Sequence, residues 1–329
     1  MPANKPTPDP QTSAFPALSG LTGRERAEID AILRPFSAPS DTVLFRQDAA
    51  ADRMYLISSG RVELSTQLAD GSELLHRTIE GGEALGESAL GESPGYMATA
   101  RAVTNVDGFA LQVGRFNELR RAYAPSAFKV LLWISMGLCK EIRQLNTEIS
   151  GPPTPSSPDD SHWVAAPGRS EAMTPECLRF LRKMPFFEAF SDDEINELSG
   201  SIRQWPVEKQ HRLFSEGDPA ASCFITVGGV IEVSVNRRGK PVVLAELGPG
   251  RIFGEISLLD KGPRSATCRV KKDAILLEIS ADEFNRLFAS GSRLSFKLLE
   301  AVHWNLLAAQ RAVLAERTGM ARSSDWVLV

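Results

Sequence analysis

Fifteen residues, Phe253-Gly-Glu-Ile-Ser-Leu-Leu-Asp-Lys-Gly-Pro-Arg-Ser-Ala-Thr267, carry the types and spacing needed to hold an anion. Gly254 lets the backbone turn closely into a short helix, whose first N–H groups have no internal partners. Those N–H groups and the helix dipole attract a phosphate. Arg264 follows Glu255 by nine positions. Its planar fork can pair two phosphate oxygens at once, and Ser265 can add a hydroxyl donor. Glu255 cannot bind phosphate, because like charges repel. A carboxylate beside a phosphate site is better suited to accepting a hydrogen bond from a sugar hydroxyl. The stretch reads as a cradle for a phosphorylated ribose.

The pattern F-G-E-[IL]-x-L-x(4)-P-R-[SA]-A-T resembles the phosphate-binding cassette of cyclic nucleotide-binding domains, found in catabolite activator-type regulators and in regulatory subunits of cyclic AMP-dependent protein kinase. The resemblance implies that Glu255 takes the ribose 2′-hydroxyl and Arg264 the cyclic phosphate. Ser265, Ala266 and the amides of Gly254, Ile256 and Ser257 would assist. It also implies an apolar base pocket with Val233 and Leu244, and a closing helix that brings Ala309 or Gln310 to the base. Ser265 is compatible with either purine; cyclic AMP is preferred over cyclic GMP as ligand, and no metal is expected.

The elements that must position this cassette occur twice. Gly71 and Gly239, Gly82 and Gly250, Gly86 and Gly254, Glu87 and Glu255, Thr99 and Thr267, and Phe116 and Phe284 each lie 168 apart (254 − 86 for one pair). Upstream, Phe45 and Phe214 differ by 169, and Asp48 and Asp218 by 170. A constant offset with small loop drift means a duplicated domain. Short strands punctuated by Gly60, Asp70-Gly71 and Gly81-Gly82 fill the first copy. A helix over 126–149, with Leu131, Ile134, Leu138, Ile142 and Leu145 at steps of three and four, closes it. In the second copy helices are predicted over 174–183 and 192–204, then strands, then a closing helix over 292–316. The fold class expected is mainly β with flanking α: two antiparallel β-roll (double-stranded β-helix, jelly-roll-like) domains, each closed by C-terminal helices. The domains are predicted as a disordered tail over 1–16, a degenerate copy over 17–149, a Pro/Ser-rich linker over 150–173, an intact copy over 174–316 and a tail over 317–329.

The copies differ at one decisive place. In Leu85-Gly-Glu-Ser-Ala-Leu-Gly-Glu-Ser-Pro-Gly-Tyr-Met-Ala-Thr99, nine positions after Glu87 stands Tyr96, and Met97 replaces the serine. A phenol and a thioether cannot neutralise a phosphate. Arg101 is five residues further, about 17 Å along an extended strand, and has its own counterpart in Arg269. The first copy is therefore expected to bind no cyclic nucleotide in this manner. An alternative is a different ligand, with Tyr96 stacking on a ring.

Bulk properties narrow the remaining classes. The chain has 329 residues, 43% hydrophobic and 24% charged, with net charge −4. That is ordinary globular material with no general attraction to nucleic acid or acidic membranes. Cys139, Cys177, Cys223 and Cys268 form no CxxC pair, and reduced thiols are expected. The N-terminus lacks the apolar core of a signal peptide, and a cytoplasmic, membrane-free protein is expected. Gly91-Glu-Ser-Pro-Gly95 matches a nucleophile-elbow pattern but falls inside a cassette. The four histidines lack metal-ligand spacing, and Gly248-x-Gly250 lacks the third glycine of a dinucleotide fingerprint. No catalytic role is expected. Residues after 316 are too few for a helix-turn-helix, so no direct nucleic-acid binding is expected. The reading is a cyclic nucleotide-sensing regulator acting on an unknown protein effector. Alternatives are a ligand-independent scaffold and a transcription regulator without its own DNA reader. Leu299, Val302, Leu306, Ala309 and Val313 form a stripe on the closing helix that suits either a homodimer seam or packing on its own β-roll.

Overall fold

The computed structural model describes residues 15–68, 70–91, 95–150, 173–184, 187–237 and 239–318. It divides into two compact units, Met1–Gly137 and Leu138–Val329.

The first unit opens with α1 (Pro16–Ser19) and α2 (Gly23–Asp30). Thr22 caps α2 through a capping box with Glu25, which satisfies two end groups of a short helix. Strands β1 (Leu33–Ala38), β2 (Val43–Phe45), β3 (Arg53–Ser59), β4 (Val62–Gln67), β5 (Glu73–Ile79), β6 (Ala84–Leu85), β7 (Thr99–Ala102) and β8 (Val106–Gln112) follow. They form two four-stranded antiparallel sheets, ordered β1-β8-β3-β6 and β2-β7-β4-β5. Helix α3 (Val113–Arg121) and the N-terminal half of α4 (Pro125–Ser150) close the unit.

The second unit holds α5 (Pro175–Leu181), α6 (Asp192–Ser199), β9 (Arg203–Val207), β10 (Arg212–Phe214), β11 (Ser222–Arg237), β12 (Lys240–Leu247), β13 (Ile252–Phe253), α7 (Ile256–Leu259), β14 (Thr267–Ser280), α8 (Ala281–Ala289) and α9 (Arg293–Thr318). All six strands pair in one antiparallel sheet. Strands read from the sequence as separate pairs are continuous here: β11 does the work of β3 and β4, and β14 that of β7 and β8. Each long strand must bend to serve both faces of the roll, and β11 does so by register shifts between Thr226 and Ile231. Gly229 sits in that bend at φ +89°, and a Cβ there would lie 2.4 Å from the Asp273 carbonyl oxygen. Gly60 holds the matching place in the first unit, at φ +90° and 2.2 Å from the Asn105 oxygen. Under the cassette lie Leu213, Phe214, Phe224, Phe253 and Leu276, all buried; each such side chain contributes roughly 1.5–3 kcal/mol on burial.

Several expectations need correction. The disordered tail cannot reach residue 16, because Phe15 is fully buried and meets Phe109 and Trp133 edge-on at 6.4 Å. Residues 1–14, positions 151–172 of the linker expected over 150–173 and positions 319–329 of the tail expected over 317–329 lie outside the described residues; α9 itself continues to Thr318. The boundary between units falls inside α4, not at 149, because its C-terminal half groups with the second unit. The helix expected over 192–204 stops at Ser199 and gives way to β9. The closing-helix stripe is buried within its own chain at Leu299, Val302, Leu306 and Val313, which is the β-roll packing rather than an exposed dimer seam. Among the described residues no single helix is long and apolar enough to cross a membrane.

Phe15→Ala removes a fully buried ring from the first unit. Chemical denaturation should show a loss of about 3–5 kcal/mol.

Candidate functional site

Three backbone features build the cassette of the second unit. The turn at Ser215–Asp218 is locked by the Asp218 carboxylate, which accepts from the Ser215 N–H at 2.7 Å. That turn grips residue 264 on both sides: the Arg264 N–H donates to the Asp218 carbonyl at 2.8 Å, and the Gly217 N–H donates to the Arg264 carbonyl at 2.9 Å. Gly254 then turns the chain at φ +79° into α7, and a Cβ there would lie 2.6 Å from Arg264 Nη1. Only glycine permits both the left-handed turn and the close approach of the guanidinium.

Arg264 is buried. Its guanidinium lies 3.9 Å over the Phe214 ring centroid, and Nη1 donates to the Gly254 carbonyl at 3.0 Å. Nε is buried and has no acceptor. Among the described residues no carboxylate forms an ion pair with it. Burial lowers its pKa, though a guanidinium stays charged.

Glu255 is buried beside it. Asn305 Nδ2, from α9, donates to Glu255 Oε1 at 3.0 Å and to the Ile252 carbonyl at 2.7 Å. Burial pushes the Glu255 carboxyl up to about 7, against the lowering effect of its backbone hydrogen bond, Asn305 and Arg264. A surface turn stapled by a Glu–Arg pair would look different: here each charge has its own neutral partner.

These residues line a partly open cavity. It gathers nine of the ten residues expected from the sequence: Val233, Leu244, Gly254, Glu255, Ile256, Ser257, Arg264, Ser265 and Ala266. Gln310 is not in the lining; it is buried with Oε1 unpartnered. One residue along a helix is about 100° of rotation, and Ala309, the other residue expected near the base, takes the cavity face with Ala308 and Ala312. Reading the sequence missed Asn305, Arg251, Ile142 and Asn146, all of which line the cavity. No short motif marks them; Asn305 and Asn146 reach the cassette over sequence separations of 50 and 119. Phe214 could have been found, because Phe45 repeats it.

In the first unit the same place is filled by protein. Tyr96 is buried, stacks on Phe45 with centroids 3.9 Å apart, and donates its hydroxyl to the Arg53 carbonyl at 2.7 Å. Burial pushes its phenol up to about 12, so it stays neutral. The phenol takes over the stack on the aromatic ring that the guanidinium makes in the second unit. Its hydroxyl is spent on the backbone, and the ring leaves no cation for a phosphate. The alternative of Tyr96 stacking on a bound ring finds that face already used by Phe45. All four cysteines are buried and free.

The raised carboxyl makes a stability prediction. Between pH 4.5 and about 7 the unfolded chain has Glu255 ionised while the folded chain keeps it protonated. The unfolded state then binds fewer protons, so stability falls as pH rises through this window. The full effect is on the order of 3 kcal/mol. Glu255→Gln should flatten the decline in a pH series of thermal melts.

The family model described as the cyclic nucleotide-binding domain matches residues 35–123 and 204–290. The cyclic AMP-dependent protein kinase regulatory subunit of Mycosarcoma maydis is 34% identical over 89 residues, 27% of this chain and 17% of that protein. The CRP-like cAMP-activated global transcriptional regulator of Mycobacterium tuberculosis is 25% identical over 125 residues, 37% of this chain and 55% of that protein. The chain thus spans less than two thirds of the length of these relatives. The crystal structure of a cyclic nucleotide-binding domain from Methylobacillus flagellatus is 26% identical, covering 45% of this chain and 84% of that one at TM-score 0.39.

Proposed function

The chain belongs to the cyclic nucleotide-binding domain family, and we propose that it is a cytoplasmic regulatory receptor that binds one cyclic nucleotide per chain, in its second unit. The observation that carries this reading is Arg264: a buried guanidinium with an unpartnered Nε and, among the described residues, no carboxylate partner. A cyclic phosphate supplies the missing acceptor and the missing charge. The N–H groups at the start of α7 face the same anion. The ribose 2′-hydroxyl donates to Glu255, held in place by Asn305. The base lies against Val233, Leu244 and the alanines of α9. Cyclic AMP is the first ligand to test, since the M. tuberculosis relative is by name cAMP-activated.

Ligand binding is read as non-catalytic. The nucleotide joins the cassette to α9 through Glu255 and Asn305, favouring one placement of that helix. A protein effector that contacts the helix or its surroundings would read the change. The first unit takes no part in ligand binding and serves as structure or contact surface.

Isothermal titration of the full chain with cyclic AMP and cyclic GMP tests this. One site per chain is expected. Arg264→Ala should weaken binding by several kcal/mol, about a hundredfold or more, because it leaves the phosphate without its counter-charge. Two sites per chain, or an Arg264→Ala variant that binds as wild type does, would remove the assignment.

A further inference from the structure

The second unit includes a segment that no part of the repeat assigns to a ligand site. Residues 138–150 of α4 precede the linker, and the family match ends at 123 and resumes at 204. Within the second unit this segment lies on the cassette. Arg143 holds Asp260 with both arms of its fork, Nε on Oδ2 and Nη2 on Oδ1 at 2.9 Å. Its Nη2 also reaches Ser257 Oγ at 3.4 Å. Asp260 Oδ1 in turn accepts from the Gly262 N–H at 3.0 Å, and Ser257 Oγ donates to the Pro263 carbonyl at 2.8 Å. Gly262 leaves room for the fork, since a Cβ there would lie 2.7 Å from Arg143 Nη2. One helical turn on, Asn146 Nδ2 donates to the Ser265 carbonyl at 2.9 Å. Glu148 completes the contact from the same segment with an ion pair to Arg317 of α9 at 2.6 Å.

The loop that presents Arg264 is thus bolted before and after that residue by one helix. Ser257 and Asp260 are fixed on one side and Ser265 on the other. Ile142 and Asn146 are themselves part of the cavity wall. Removing the segment would release the loop and admit water to the phosphate end, where screening weakens every charge contact.

We propose that residues 138–150 are a working wall of the nucleotide site, with Arg143 as the positioning residue that holds the phosphate-binding loop through Asp260. The proposal rests on the nucleotide reading above. Docking of this segment and binding of the nucleotide then strengthen each other, because coupling between two binding events is reciprocal. Residues 138–150 thereby report the occupancy of the site.

The test is nucleotide titration and amide hydrogen exchange on the full chain, with cyclic AMP as probe. Arg143→Ala should raise the Kd about tenfold or more while leaving one site per chain. Arg143→Lys keeps the charge without the fork and should fall between the two. In wild type, amides of 138–150 should exchange more slowly when cyclic AMP is present, a change that a purely structural helix would not show. If Arg143→Ala loses its cooperative melt, Asn146→Ala takes its place; it leaves the ion pair intact and should still weaken binding. Wild-type Kd in these variants, or exchange over 138–150 that ignores the nucleotide, overturns the proposal alone. A wild-type chain that binds neither cyclic AMP nor cyclic GMP overturns the nucleotide reading and this proposal together.

Discussion

A buried guanidinium without a carboxylate is costly, and the second unit keeps one at Arg264. Taking a charge out of water costs several kcal/mol unless hydrogen bonds and counter-charge offset it. The fold offsets part of that cost with the Phe214 ring and the Gly254 carbonyl. Nε is left with nothing. Glu255 carries the opposite burden, a carboxyl that burial holds protonated up to about pH 7. The two groups are neighbours, yet each is tied to a neutral partner instead of to the other. A fold selected for stability alone would pair them or replace both with apolar side chains. Kept apart, they leave Arg264 Nε open to an added acceptor.

The rest of the unit serves that arrangement. Bends in β11 let one strand run under the cassette and on into the opposite face of the roll. The Ser215–Asp218 turn grips the backbone of residue 264, and Asn305 steadies Glu255 from α9. The first unit shows what the same scaffold looks like once the burden is lifted. Tyr96 stacks on Phe45, its hydroxyl is satisfied by the Arg53 carbonyl, and no charge waits for a partner there. Where the second unit keeps an open cassette, the first has core.

Much of this was legible in the sequence. The fixed spacing of Gly254, Glu255 and Arg264 named the cradle, and the constant offset between repeats named the duplication. What escaped notice did so for physical reasons. Strands β1 and β9 contain Pro35 and Pro206, which suppress a strand reading although edge strands tolerate proline; both are at sheet edges. Arg143, Asn146 and Asn305 act across long stretches of chain, where spacing carries no information. Of the two residues expected near the base, Ala309 lines the cavity, and Gln310, one position and about 100° further round the helix, does not. Phe15 sits among prolines, and composition alone could not tell that its ring is core.

Gly86 and Gly254 bear a different lesson. Both sit at positive φ, +85° and +79°, in a unit whose cassette is filled and in a unit whose cassette is open. The backbone turn needs the glycine in both units, and Glu87 is buried although Tyr96 stands where the second unit has arginine. The glycine and the buried glutamate thus serve the fold in both units, while the arginine adds a buried guanidinium whose Nε the fold leaves without an acceptor. Of these three residues, the arginine alone tells the open cassette from the filled one.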